Sequence, residues 1–217
     1  MTVPEEIADL SYANFLRPHE GPLTAEGDYD TLHFDRLTFE GDSAGGARFL
    51  ESAVTDCVFA DARLRRARFN NVWITGTRFT GVSLAETDWL DSWLTGCSLA
   101  GVESFGAVLR RVVFRRCKLD SVNLRSAALH EVAFEDCVLR DVDFGEARLD
   151  RVTFPGSTLE RARLGRATLE KADLRGALAI DLADGYESLR GAIVGSVQLL
   201  DLAPALARML GITVKDR

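Results

Sequence analysis

"CKLDSVNLRSAALHEVAFED" (residues 117–136) runs straight into "CVLRDVDFGEARLDRVTFPG" (residues 137–156). Laid one above the other, the two stretches agree in kind: Cys on Cys, Val122 on Val142, Ala127 on Ala147 and Val132 on Val152, with Leu or Phe at every fifth position. Two periods are superposed, one of five residues and one of twenty. A helix cannot use the first, because its faces recur every ~3.6 residues and a five-residue stripe drifts round the axis. A flat strand cannot use it either, since its side chains alternate with a period of two and without regular breaks. A short extended piece followed by a two-residue turn does fit, with two of the five side chains pointing inward and three outward.

The register extends far beyond these forty residues. From Phe34 to Leu199, every position numbered in 4 or 9 belongs to it, and 30 of those 34 positions hold Leu, Phe, Ile, Val or Trp. The exceptions are Ala44, Ser104, Ala179 and Asp184. Two residues before each large one sits a small or β-branched residue, as in Ala67, Val72, Thr77 and Val82. Ten of the 18 glycines, Gly76 and Gly96 among them, lie two places after the large residue. A turn there needs positive φ, which glycine adopts at least cost.

The twenty-residue period sets the number of pieces in one circuit. Cys57, Cys97, Cys117 and Cys137 differ by multiples of twenty, as do Ala47, Ala67, Ala107, Ala127, Ala147 and Ala167. Four fives per circuit stack each residue type on itself. The prediction is an all-β solenoid, a quadrilateral parallel β-helix, with the right-handed winding that parallel crossovers favour. About eight coils at ~4.8 Å make a rod roughly 40 Å long.

The ends read differently. Residues 1–31 are expected to form an N-terminal cap and loop. Within them "ADLSYANFLR" reads as two further fives, one position out of register, with Leu10 and Phe15 as the large residues. Residues 18–28 read as the loop that absorbs the slip, residues 32–195 as the solenoid, and residues 196–217 as a C-terminal helical cap and tail. Ser196 is the expected N-cap, Gly211 the stop, and Pro204 a kink or a split. Leu199, Leu200, Leu202, Leu206, Met209 and Leu210 are too many for one narrow apolar face. The helix reads either as a lid on the last coil, or as a lid that also joins two rods about a twofold axis.

Composition narrows the function. The chain has 217 residues, 47% of them hydrophobic, and no apolar run approaches the ~18 residues of a membrane helix. The first residues, "MTVPEEIADL", lack the basic-then-apolar order of a secretory signal, so a cytoplasmic location is expected. Of the net charge of −7, the first 46 residues contribute −8, from ten acidic and two basic residues. The remaining 171 are nearly balanced, with 23 acidic and 24 basic.

No catalytic, cofactor or metal site is expected. Cys97, Cys117 and Cys137 come within disulfide or soft-metal distance on neighbouring coils, but they occupy inward positions with no His beside them and no CxxC, so they read as core packing. His19, His33 and His130 show no catalytic spacing and read as loop or outward residues. Carboxylates interleaved with arginines, as in "RDVDFGEARLDR", read as a solvated charge lattice. Trp73 and Trp93 lie twenty apart at outward positions, flanked by Ala53, Val113 and Ala133. Such a column is either a partner surface or a patch that the N-terminal segment folds over.

"ADLRG" (residues 172–176), "ANFLR" (13–17) and "ARLRR" (62–66) carry the A-(D/N)-L-x-x motif, and the chain resembles the pentapeptide repeat proteins over most of its length. Its ending, "ESLRGAIV" and then a helix, is similar to that of the quinolone-resistance members, the mycobacterial and Qnr types. The resemblance implies a homodimer that imitates duplex DNA and binds DNA gyrase or a related type II topoisomerase, protecting it from quinolones or similar poisons. Neither nucleic acid nor membrane is then bound directly. The candidate partner surface is Asp136, Asp141, Asp143 and Glu146, together with Trp73 and Trp93. Arginines crowding the middle coils, among them Arg63, Arg65, Arg66, Arg110 and Arg111, depart from a DNA mimic. They leave an alternative, an interaction scaffold with an unrelated partner.

Overall fold

The computed structural model describes residues 3–215; the outermost residues of the two predicted end segments, 1–2 and 216–217, lie outside the described residues. One coil shows how the repeat folds. Arg48–Leu50, Ala53–Thr55 and Val58–Ala60 are strands, Arg63 forms a single bridge, and the next coil begins at Arg68–Asn70. Each piece pairs in parallel with the residue twenty later: Phe49 with Phe69, Val54 with Ile74, Phe59 with Phe79. The solenoid therefore has four faces, and the cysteines of successive coils stack as their spacing requires.

Three faces are sheets. The first and second merge into one thirteen-stranded sheet, because Asp88–Thr95 and Val108–Arg115 run round the corner between them without a break. The third face is an eight-stranded sheet. The fourth is a column of isolated bridges running from Ser43 through Arg63, Ser83, Glu103, Asn123 and Asp143 to Arg163. Ala44 and Ser104, the weak positions of the register, both point inward on this fourth face and are buried.

From Phe49 to Leu174 each rung buries its large residue and the smaller residue two places earlier, so side chains pack the interior. Because a residue type returns after one coil, aromatic rings stack along the axis. The ring centroids of Phe49 and Phe69 are 4.8 Å apart, and those of Phe114 and Phe134 4.9 Å. The corners repeat as strictly as the core. Left-handed backbone recurs at the position two after the large residue, in Gly76 and Gly96 but equally in Asp91, Arg111 and Glu131. An L-residue there costs roughly 1–2 kcal/mol, which pairing with the coils above and below offsets.

That geometry separates two glycines. Gly96 has φ 61° and open space around its missing Cβ, so Gly96→Ala should cost about 1 kcal/mol. At Gly185, φ 84°, an added Cβ would run into the backbone of Leu164 and Gly165. Gly185→Ala should cost roughly twice as much or more, and urea unfolding of the two variants checks the order.

The ends differ from expectation. The residues read as two extra fives instead hold two 3-10 turns, Ile7–Asp9 and Ala13–Phe15, outside the lattice. Leu10 is buried, but on the outer side of the second face among Trp73, Trp93 and Val113, while Phe15 is 70% exposed. The apolar column offers Leu10 a better seat than an incomplete coil would. Arg17–Pro18 then pairs with Leu32 and His33, so a proline closes that edge. The first rung is Asp28–Asp30, with Tyr29 over Phe49, four residues before the expected boundary. His19, read as a loop or outward residue, is half-buried, its ring centroid 4.5 Å from that of Phe34 at the top of the core.

At the other end the lattice slips by one residue. Leu159 pairs with Ile180, not Ala179, so Ala179 leaves the core and Ile180 takes its place in the sheet. The C-terminal helix spans Ser196–Met209 with Gly195, not Ser196, as its N-cap. Gln198 ties it to the solenoid: its Oε1 accepts the Gly195 N–H at 2.9 Å, and its Nε2 donates to the carbonyls of Leu174 at 2.7 Å and Ala177 at 3.0 Å. Pro204 sits inside the helix without splitting it, since a missing N–H removes one hydrogen bond and leaves the flanking turns intact. Gly211, φ 71°, ends it: the Gly211 N–H donates to Arg208 O and the Ile212 N–H to Ala207 O.

Candidate interaction surfaces

The tryptophan column forms as its spacing predicts, with Ala53, Trp73, Trp93, Val113 and Ala133 in successive registers of the second face. It is not open to a partner in this structure. The N-terminal segment lies along it and leaves Trp73 3% and Trp93 9% exposed. Trp73 Nε1 donates to Pro4 O at 3.3 Å, the Tyr12 hydroxyl donates to Ser52 O at 3.3 Å, and Glu5 meets Arg115 at 3.2 Å. Burial pushes the Tyr12 phenol up. Of the two readings of the Trp73 and Trp93 column, the structure has the second, a patch that the N-terminal segment folds over. Apolar area of that size gains more from an apolar cover than from water.

The acidic candidates do not form a bare patch. Asp141 pairs with Arg161 at 2.9 Å, Asp143 with Arg125 at 3.4 Å, and Glu146 with Arg125 at 2.8 Å and with Arg166. Asp141, Asp143 and Glu146 share the fourth face and its two corners, whereas Asp136 lies on a different corner, between the second and third faces. The pairing follows from the twenty-residue period, which sets residue i beside i+20 along a column, as in Asp91–Arg111, Glu131–Arg151 and Arg140–Glu160. The sequence places the two charges on neighbouring coils; whether their side chains meet depends on the rotamers. These pairs are exposed and each contributes little, about 0–1 kcal/mol. Their main effect is to cancel the field of the sides.

The C-terminal end is different in kind. Leu202 is 3% exposed and plugs the last coil. Leu206 is half-buried. Leu199, Leu200, Met209 and Leu210 face outward, with Leu200 73% and Leu210 68% exposed. Sequence reasoning missed their neighbours Val197, Ile212 and Val214, which are also exposed. One helix therefore does two jobs: Leu202 caps, and Leu199, Leu200 and Leu210 are left in water.

All four cysteines are free thiols and buried. They do more than fill volume. In the column Cys57, Thr77, Cys97, Cys117, Cys137, Ser157, the side chains of Cys57, Thr77, Cys137 and Ser157 accept the backbone N–H one coil earlier. Cys57 N–H reaches Thr77 Oγ1 at 3.3 Å, Cys117 N–H reaches Cys137 Sγ at 3.4 Å, and Cys137 N–H reaches Ser157 Oγ at 2.8 Å. The run of hydroxyl and thiol side chains from position 57 to position 157, with no Ala or Val among them, was the available signal. The neighbouring Cys117 thiol and burial push the Cys137 thiol far above its ordinary range, which keeps it unreactive. Cys137→Ser should be nearly neutral, while Cys137→Ala should cost about 1–2 kcal/mol by leaving the Cys117 N–H without an acceptor. Paired denaturation curves check this.

With the coil geometry established, comparison with known proteins assigns the family. The profile of the pentapeptide repeat region matches residues 87–164, and that of pentapeptide repeats matches residues 46–81 and 62–101. The chain belongs to the pentapeptide repeat family. Among solved structures it is similar to a trypsin-treated form of QnrB1, a plasmid-mediated fluoroquinolone resistance protein, at 18% identity and TM-score 0.36, over 92% of this chain and 96% of that one. It is similar also to HetL of the cyanobacterium Nostoc, involved in heterocyst differentiation regulation, at 19% identity and TM-score 0.41, over 78% and 86% of the two chains. A pentapeptide repeat protein of the Arabidopsis thaliana thylakoid lumen matches at 23% identity and TM-score 0.42, over 49% and 74%. No curated protein matches the chain. In pentapeptide repeat terms, the inward lattice is the repeat's central Leu or Phe and the small residue two places before it. Two features of this chain lie outside that lattice: a segment strapped along one face and an apolar C-terminal end.

Proposed function

We propose that this chain is a non-enzymatic, protein-binding rod of the cytoplasm that works as a homodimer joined through its C-terminal helix. The observation that carries this is the apolar end. Leu199, Leu200, Met209 and Leu210 lie in water on a molecule whose sides are balanced ladders of ion pairs. A filled interior supports a role in binding over one in catalysis. The partner we assign is DNA gyrase or a related type II topoisomerase, following the resemblance to the quinolone-resistance members. Recognition would then rest on the form of the rod and on mixed charge, since Asp141, Asp143 and Glu146 are partnered by arginines.

A gyrase supercoiling assay with the purified chain, with and without a fluoroquinolone, tests the partner. Inhibition, or protection from the drug, is the expected result. It should weaken as salt rises, because exposed charges are screened over ~10 Å at 0.1 M. Replacing Asp141, Asp143 and Glu146 together by Lys should abolish it while the fold survives. The pairing of these same carboxylates favours a second reading, a scaffold rod with an unrelated protein partner. Supercoiling untouched at every protein concentration would select that reading.

A further inference from the structure

We propose that the N-terminal segment is a removable cover, and that the second face beneath it is a docking groove for an extended, apolar segment of another protein bearing a carboxylate at one end. The proposal rests on the reading of the chain as a protein-binding rod and adds a site to it.

Three observations support it. First, residues 3–16 do not belong to the solenoid core. Val3, Leu10 and Tyr12 pack with Trp73, Trp93 and Val113 in a cluster separate from the main core, on the outside of coils that are complete without them. Ladder pairing of this segment begins only at Arg17. Second, among the described residues its polar anchors to the second face are few and long: two hydrogen bonds of 3.3 Å and the exposed ion pairs of Glu5 with Arg115 at 3.2 Å and Arg116 at 3.9 Å. Third, the cover fits its seat incompletely. Trp93 Nε1 and Thr95 Oγ1, two residues apart on one strand and more than nine-tenths buried, have no hydrogen-bond partner among the described residues, while the equivalent Trp73 Nε1 is satisfied.

The chemistry of the groove names its occupant. Buried polar groups without partners are costly, so a segment offering a carbonyl to Trp93 Nε1 and a polar group to Thr95 would bind better than the resident one. Arg115, anchored by Glu135 at 2.8 Å, and Arg116, 3.9 Å from Glu5, mark where the incoming carboxylate belongs. Ala53, Trp73, Trp93 and Val113 supply the apolar floor. The resident segment already follows this pattern, a carboxylate at Glu5 and apolar residues at Leu10 and Tyr12. In the free chain it competes at the high effective concentration of a tethered ligand.

The test uses the full chain and a labelled synthetic peptide of residues 3–16 as probe. Glu5→Arg with Leu10→Asp should release the cover. Tryptophan emission should shift to the red as Trp73 and Trp93 are exposed, with the β-sheet circular dichroism unchanged. The released variant should bind the peptide at least tenfold more tightly than the parent, and adding Arg115→Glu should reverse that gain about tenfold. Hydrogen exchange on the unaltered chain provides the check independent of mutation. Amides of residues 7–16 should exchange at least tenfold faster than those of the rungs beneath them. Exchange of that segment only with the rungs, collapse of the solenoid on release, or exposed tryptophans that bind no peptide would each overturn the proposal. A gain in assembled mass on release, suppressed by the peptide, would assign the groove to a second copy and overturn the choice of partner. None of these failures alters the gyrase assay, so this inference and the rod reading fall separately.

Discussion

Phe134→Ala should destabilise the solenoid by about 3–5 kcal/mol, among the largest effects a single substitution can have in this molecule. The side chain is fully buried, and its ring is stacked between Phe114 at 4.9 Å and Phe154 at 5.3 Å. Truncation removes the ring's transfer energy and opens a void. That void has little chance to close, because each rung is tied by its ladder to fixed neighbours at one strand spacing and cannot slide into it. Urea unfolding should show a lower midpoint with an unchanged slope, and the melting temperature should fall by roughly 6–20 °C. Leu178→Ala, at a side chain 76% exposed, is the control and should change stability by less than ~0.5 kcal/mol. A Phe134→Ala variant that melts with the control would mean that the stacked column contributes little and that the ladders alone hold the rod.

If the chain is the homodimer proposed above, Leu200→Asp combined with Leu210→Asp should convert it to a monomer. Both side chains project from the C-terminal end, 73% and 68% exposed, so the monomer loses almost nothing when they change. An interface closed about a twofold axis would meet each new carboxylate twice, in an apolar setting where an unpaired charge costs several kcal/mol. Light scattering at tens of micromolar should give half the parent mass, with the circular dichroism spectrum unchanged. Leu202→Asp makes the contrast, since Leu202 is buried against the last coil: it should unseat the helix and lower stability in the monomer itself. A parent chain that already runs as a monomer at these concentrations would remove the dimer from the proposed function and leave the bare leucines unexplained.

The same division between column and neighbour explains how much of the surface could be read in advance. Asp141 and Arg161 are visible in the chain as two charges twenty apart. Whether they meet depends on the rotamers above a particular corner, and they do. Trp73 and Trp93 were legible as an outward column. That Leu10 and Tyr12 come back to cover them, about sixty to eighty residues away in the chain, is a competition between two seats for the same apolar side chains that a local pattern cannot decide.

The sequence by itself determined the coil. A period of five within a period of twenty admits one regular solution, because inward side chains, turn residues and ladder partners must all return at once, and each register position supports the others. Long-range contact is there a repetition of local contact, so the four faces, the stacked cysteines and the inward lattice followed without coordinates. Only the tertiary structure decided what happens where the period ends. The one-residue slip that replaces Ala179 by Ile180, the plug at Leu202 and the strap over the second face involve segments with no repeat to constrain them. Their positions are set by which apolar surface the finished coils leave open, and that surface exists only once the coils have formed.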